Sequence, residues 1–417
     1  MKARLLGQWA RIAAWSRTAR AHPLMNPAAL FEASRERRVH EPVERHHPHL
    51  IAALDWLARA QDASADGGIA WGYSLSWDPH FRRRGWQASY PETTGYIIPT
   101  LYAAAHHLCS AEWARRAERA ARWSVRVQLP SGAVQGGTVG EPATPAVFNT
   151  GQVMLGWLAA WEETGDAVFA DAIRRAGRFL VAAQGADGQW HRGNSQYARA
   201  DATLYNARAA WALGEAGCRL NEPSFCRAAV KQLQAVVRLQ HANGWFPNCC
   251  LGDPERPLLH TLAYTVRGLL EGGRVLEDEA LIARAALAAK SLADNVLEAG
   301  WLSGRFDQDW HPVVSWSCLT GMAQMVNNWL RLVEITADRS WAEPVPRVLR
   351  FLKATQSRAS ANPGLRGGIK GSAPVSGDYG RYAVLSWATK FFADALMRDE
   401  RARFAADLHP PCCFVLA

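Results

Sequence analysis

The sequence has no uninterrupted apolar run of the ~18 residues that a membrane-crossing helix needs. It also lacks the apolar core of a secretory leader, because Lys2, Arg4, Arg11, Arg17 and Arg20 break up its first residues. There is no C-x-x-C step among its eight cysteines, and four of them form the adjacent pairs Cys249-Cys250 and Cys412-Cys413. That spacing suits neither a zinc site nor a disulfide framework, so reduced thiols in a cytoplasmic protein are expected. No G-x-x-x-x-G-K-[ST] and no strand-borne G-x-G-x-x-G is present to cradle phosphates. Neither a cofactor nor a metal is expected.

Charge of one sign is also scarce outside the N-terminus. The 417 residues carry a formal net charge of +9. Residues 1–47 hold nine Lys/Arg and four Glu, hence +5 of that excess. The remainder is too weakly basic to point to nucleic acid. In the extension, Leu5, Leu6, Trp9, Ile12 and Ala13 share one helical face, but Lys2 and Arg20 intrude beside it. A solvated arm, or a helix packed on the main body, is expected there rather than membrane contact. Apolar residues make up 49%, ample for a large core.

What the chain does have is a repeat. WLARAQ, WSVRVQ, FLVAAQ, AVVRLQ and FLKATQ each precede a Gly-containing turn, with their glutamines at Gln61, Gln128, Gln184, Gln240 and Gln356. The steps are 67, 56, 56 and 116 residues, and the double step predicts a further unit in DNVLEAGW, with Glu298 in the Gln place. A second series alternates with the first, in which largely uncharged helix-like segments open at Thr94, Thr150, Thr203, Thr261 and Thr320. Arg381 is expected to hold the sixth place. Low charge predicts buried inner helices, whereas the Arg-rich Gln-terminated segments predict amphipathic outer ones. Such a pair cannot bury its own apolar face, so neighbours must stack. Six pairs closing on themselves give an all-α (α/α)6 toroid, and closure removes the need for polar capping repeats. The expected organisation is a basic extension over 1–47, the toroid over 48–400 and a tail over 401–417.

FLVAAQGADGQW resembles the Gln/Gly/Trp repeat of terpene cyclases and protein prenyltransferases. YPETTGY, SCLTGMAQM and GGIKGSAPVSGDYGRY resemble a bacterial family of α/α-toroid proteins associated with polysaccharide biosynthesis, over roughly residues 48–398. The architecture is also similar to six-hairpin glycosidases, sugar epimerases and polysaccharide lyases. These resemblances imply the fold and a saccharide ligand, with a polysaccharide-synthesis complex as an implied partner. An isoprenoid cyclase is disfavoured because D-x-D-D and D-D-x-x-D runs are absent. Cys318 is not followed by the His that a zinc-dependent cyclase of the lanthionine type needs.

In a closed toroid, residues at the inner-helix N-termini converge on one face. Glu92 and Asp201 both fall two residues before the Thr position, and Asn149 and His260 fall one before it. Glu92 as acid with Asp201 as base would suit glycoside hydrolysis, which needs paired carboxylates. Asp307, Asp309 and Asp378 are rival second acids. His260 and Tyr264 lie four apart, on one helical face, and would suit proton abstraction from a uronic acid, giving lyase or epimerase action. Asn149 or Gln152 would then bond the substrate carboxylate. Trp71, Trp77 and Trp86, with Tyr96, Tyr205, Asp307 and Tyr382, are expected to bind sugar, since flat aromatic faces stack on sugar C–H faces. The rivals are a non-catalytic saccharide-binding scaffold and an isoprenoid-processing enzyme.

Overall fold

Leu50, Ala53, Leu54 and Leu57 recur at helical spacing and are all fully or nearly fully buried, so the first outer helix lays one stripe on the body of the protein. In the computed structural model, residues 26–36, 45–194, 198–199 and 201–408 are described. A helix α1 (Pro27–Glu36) precedes six alternating pairs. The outer helices are α2 (His47–Asp62), α4 (Ala111–Arg126), α6 (Ala167–Ala183), α8 (Pro223–Leu239), α10 (Glu279–Asp294) and α12 (Val345–Thr355). The inner ones are α3 (Pro91–His107), α5 (Val147–Thr164), α7 (Ala207–Leu220), α9 (Leu259–Val275), α11 (Leu319–Thr336) and α13 (Ser386–Leu408). Each inner helix packs on the next, and α13 packs on both α2 and α3. The ring therefore closes, with Thr100 Oγ1 donating to Asp394 Oδ1 at 2.8 Å across the seam. A strand β1 (Gly72–Asp78) forms a hairpin with β2 (Arg83–Trp86). On its other edge β1 pairs antiparallel with β3 (Ala383–Leu385), in the register Gly72↔Leu385, and fastens the same seam. Among the described residues no helix is long and apolar enough to cross a membrane.

The repeat residues have a physical role. Gln128, Gln184 and Gln240 each donate from Nε2 twice: once to a glycine carbonyl four residues on, and once to a carbonyl of the next outer helix, at 2.8–3.0 Å. Gln356 does the same to Gly367 O at 2.7 Å and His49 O at 3.1 Å. The last outer helix is thereby tied to the first. Gln356→Ala is expected to lower stability by about 1–3 kcal/mol, because two carbonyls lose their donor at the seam; urea denaturation would measure it.

Two repeat assignments change in three dimensions. The fifth turn follows Val296, whose successor Leu297 bonds Trp301 as Gly185 bonds Gln189 and His241 bonds Trp245. Val296, rather than Glu298, fills the Gln place, at an even step of 56 from Gln240. Glu298 is exposed and pairs with Arg347 of α12 at 3.1 Å, an ionic replacement for the missing amide tether. In the sixth unit the equivalent of Thr94 and Thr150 is Thr389, not Arg381. Their hydroxyls accept the backbone N–H of Ile69, Val134 and Ile369, each at 2.9 Å. Arg381 lies in the turn before β3.

The tryptophans divide by depth. Trp56, Trp123, Trp157, Trp190 and Trp329 are fully or nearly fully buried, and Trp157 Nε1 bonds Ser124 Oγ while Trp329 Nε1 bonds Ala289 O. Both bonds run from an inner helix to an outer one. The extension is also engaged: Glu32 and Glu36 of α1 flank the buried ammonium of Lys370, at 2.5 and 2.7 Å. The apolar face at residues 5–13 lies outside the described residues, as does the pair Cys412-Cys413. The other six cysteines are free thiols.

Candidate functional site

Inner helices α3, α5, α9 and α13 direct their N-terminal turns at a cavity of about 320 Å³. Helix α3 starts at Pro91, whose fixed φ suits the first helical position. Its capping residue Tyr90 makes no side-chain cap bond. Glu92 in the next place does not cap the helix either: its Oε2 accepts the Tyr90 hydroxyl at 2.7 Å, and the residue is only 9% exposed. Burial raises its carboxyl to about 7, against the opposing pull of the Tyr90 bond and the Arg208 charge. Glu92 therefore exchanges its proton near neutrality, the behaviour of a general acid.

His260 faces the same cavity from the first turn of α9. Its Nδ1 lies 2.9 Å from Gln324 Oε1. An amide oxygen only accepts, so with this orientation Nδ1 carries the proton and Nε2 the lone pair. Burial, with a smaller effect from Arg208, holds the imidazolium down to about 4, so the ring is neutral at pH 7. Tyr264 lies one turn on, with its ring 4.4 Å from that of His260, and Tyr379 lies 5.2 Å from the same imidazole. Burial pushes the phenols of Tyr96, Tyr264 and Tyr379 upward, so all remain protonated donors at neutral pH.

The walls are aromatic. Trp71 meets Phe81 and Trp387 edge-on at 4.9 and 5.1 Å, and Phe148 meets Tyr205 at 5.1 Å. Tyr96 stacks on Phe391 at 5.6 Å, and Tyr264 approaches the same ring at 6.2 Å. This layer floors the cavity. Asp78, at the end of β1, is the second carboxylate on the lining. Its Oδ1 accepts the backbone N–H of His80 and Phe81, at 2.9 and 3.1 Å, which fixes the turn.

Of the residues expected from sequence, Glu92, His260, Tyr264, Trp71, Tyr96 and Tyr205 line this cavity. Asp201 does not: it is half-exposed and paired with Arg199 at 3.1 Å, which holds its carboxyl below the ordinary range. Asn149 is buried and donates to Gln135 O, and Gln152 accepts from Arg208 Nε at 2.5 Å behind the lining. Trp86 packs on Trp56 and Tyr73, and Trp77 is not on the lining. Tyr382 is a backbone junction, its N–H donating to Val375 O. Asp307 and Asp309 form an exposed cluster with His311 elsewhere, and Asp378 is exposed beside Arg305.

Sequence reasoning missed Asp78, Phe81, Phe148, Tyr379 and Trp387. Tyr379 stands three residues from Tyr382 in the same SGDYGRY motif, so the motif was legible and the residue within it was not. Asp78 had only the signal of one acid within an aromatic segment, SLSWDPH.

No protein-family model and no curated protein sequence matches this chain. Among solved structures it is similar to an unsaturated glucuronyl hydrolase specific for heparin, at 15% identity and a TM-score of 0.67, covering 85% of this chain and 97% of that one. It is similar to the glycosaminoglycan-degrading unsaturated glucuronyl hydrolase of a Bacillus species, at 17% identity and a TM-score of 0.67, covering 86% and 97%. It is also similar to cellobiose 2-epimerase of Bacillus thermoamylovorans, at 11% identity and a TM-score of 0.64, covering 84% and 96%. The chain thus has the (α/α)6-toroid fold that these glucuronyl hydrolases and this epimerase share.

Proposed function

We propose that the protein is a glycoside hydrolase-like enzyme that acts at the end of an acidic oligosaccharide, within cytoplasmic exopolysaccharide metabolism. The observation that carries this reading is Glu92, a carboxyl with a pKa near 7 on an aromatic-walled cavity. In the proposed reaction Glu92 gives its proton to the departing glycosidic oxygen as the bond to the anomeric carbon breaks. Asp78 takes a proton from the water that adds to that carbon. Trp71, Trp387 and Phe148 hold the apolar faces of the sugar, and the tyrosine hydroxyls donate to its oxygens. The aromatic floor of Tyr96, Tyr264 and Phe391 favours a chain end over the middle of a long polymer. The names of the glucuronyl hydrolases that share the fold support an acidic substrate.

A second reading has its own observation. A neutral His260 with Nε2 as its basic nitrogen, its ring tilted against that of Tyr264, could abstract and return a sugar C–H proton, as an epimerase or uronate lyase requires. Reaction of uronate-terminated oligosaccharides in D₂O separates the two. Hydrolysis releases reducing ends with no deuterium on carbon, and Asp78→Asn is expected to lower kcat by about 10²-fold or more with KM little changed. Carbon-bound deuterium, or a new double bond, with full activity in Asp78→Asn would replace hydrolysis by the His260 reading. Absence of any turnover would leave a binding scaffold.

A further inference from the structure

Beneath the aromatic floor, on the opposite face of the ring, lies a second cavity of about 610 Å³. Its chemistry is unlike that of the first: eight Lys/Arg and five Asp/Glu line it, and it is hardly aromatic apart from Tyr96, Trp211 and Phe391. Acids there are shared. Glu271 alone receives Arg267, Arg274 and Arg331 at 2.8–2.9 Å, and Glu334 receives both Arg331 and Arg398. Sharing leaves an excess of three positive charges in one concave space. It also leaves the buried Nε atoms of Arg267 and Arg398 without hydrogen-bond partners among the described residues.

Part of this basicity has a plain structural origin, since cations near helix C-termini offset the macrodipole. That account fails for Arg208. Arg208 sits in the first turn of α7, where the dipole disfavours a cation. It is 5% exposed and makes no ion pair among the described residues. Its Nε donates to Gln152, and its guanidinium rests 5.1–5.5 Å from the rings of Tyr264, Trp211 and Phe391. Ring faces ease the burial of a cation but do not neutralise it. Lys390 reaches the same floor, over Phe391 at 4.3 Å, with Asp394 as its acid. A planar guanidinium without a carboxylate, at the base of an arginine-lined hollow, matches the geometry of a multiply charged oxyanion.

We propose that this opposite-face cavity is a binding site for a small polyanion of the pyrophosphate type, held by Arg208 at its base with Arg267 and Arg398 on its wall. The bound anion offers oxygen acceptors to the guanidinium groups on the lining and cancels the excess positive charge. It occupies a space separate from the saccharide cavity, so the site stands or falls independently of the hydrolytic reading.

Titration calorimetry and thermal shift with inorganic pyrophosphate on the full chain test it. Saturable binding is expected, weakening as salt is raised. Arg208→Gln is expected to weaken it by about tenfold or more, whereas Asp78→Asn, altered in the other cavity and not in contact with Arg208, is expected to bind as the unaltered protein does. If Arg208→Gln does not fold, Arg267→Gln serves in its place and is expected to weaken binding in the same direction. No heat and no thermal shift at millimolar pyrophosphate would overturn the proposal. So would binding that survives both arginine substitutions unchanged.

Discussion

Replacing Glu92 by Gln is expected to lower kcat by about 10²–10⁴-fold, and at the same time to make the protein more stable above neutral pH. Both effects have one origin. The Glu92 carboxyl has an ordinary value of 4.5 in the unfolded chain and about 7 in the folded one, because burial disfavours the carboxylate. Between those values the folded state holds a proton that the unfolded state has released. Stability therefore falls as pH rises from about 4.5 to about 7 and then levels. The loss amounts to about 3 kcal/mol, since each pH step of one between the two values is worth about 1.4 kcal/mol. Gln is neutral at every pH, and its side-chain oxygen can still accept the Tyr90 hydroxyl. Urea denaturation across this window should show the slope in the unaltered protein and lose it in Glu92→Gln, with the two proteins meeting near pH 4. In the catalytic assay, kcat/KM of the unaltered protein should fall above pH 7 as the acid loses its proton. A stability curve that is flat in both proteins would mean that Glu92 stays ionised when folded, and the general-acid role would go with it.

The second large effect lies at the seam of the ring. Gly367 has φ +88°, and a Cβ there would stand 2.1 Å from the carbonyl oxygen of Ala52 on α2. The carbonyl of Gly367 is also one of the two acceptors of Gln356. Gly367→Ala must therefore bear the positive-φ strain, push α2 outward and loosen the Gln356 tether. Gly140 provides the control: its φ is +95°, but a Cβ there would meet nothing within 4 Å. Gly140→Ala should cost about 1–2 kcal/mol from backbone strain alone, and Gly367→Ala at least about 2 kcal/mol more. Thermal or urea denaturation of the pair measures the difference. Equal losses would show that the turn is not pressed against α2.

The two series of repeat residues were readable because each answers a local, recurring need. Every Gln tethers its own turn to the next outer helix, and the Thr hydroxyls of Thr94, Thr150 and Thr389 accept a backbone N–H that would otherwise lie buried and unpaired. Where the chemistry of the tether changed, linear spacing misled. Val296 stands in a Gln place that Arg347 and Glu298 relieve by an ion pair, and Thr389 is displaced from the expected step by the long loop before β3. Glu92, His260 and Tyr264 were legible for a related reason. They sit in the first two turns of charge-poor helices, where no surface role accounts for them.

The second acid on the cavity was not legible. Asp201 and Glu92 occupy the same place before their threonines, yet one is turned outward to Arg199 and the other is turned onto the cavity beside Tyr90. Asp78 reaches the cavity only because β1 pairs with a strand about 310 residues later, a long-range contact that no local pattern records. Linear pattern was enough to dictate the number of hairpins, their alternation of outer and inner helices, and the ring that follows. These depend on periodic burial, which every repeat states again. Packing in three dimensions was needed to select which acids face inward and to set two cavities, one aromatic and one basic, on either side of a single floor. Those outcomes depend on how turns of unequal length fit against one another, and each occurs only once in the chain.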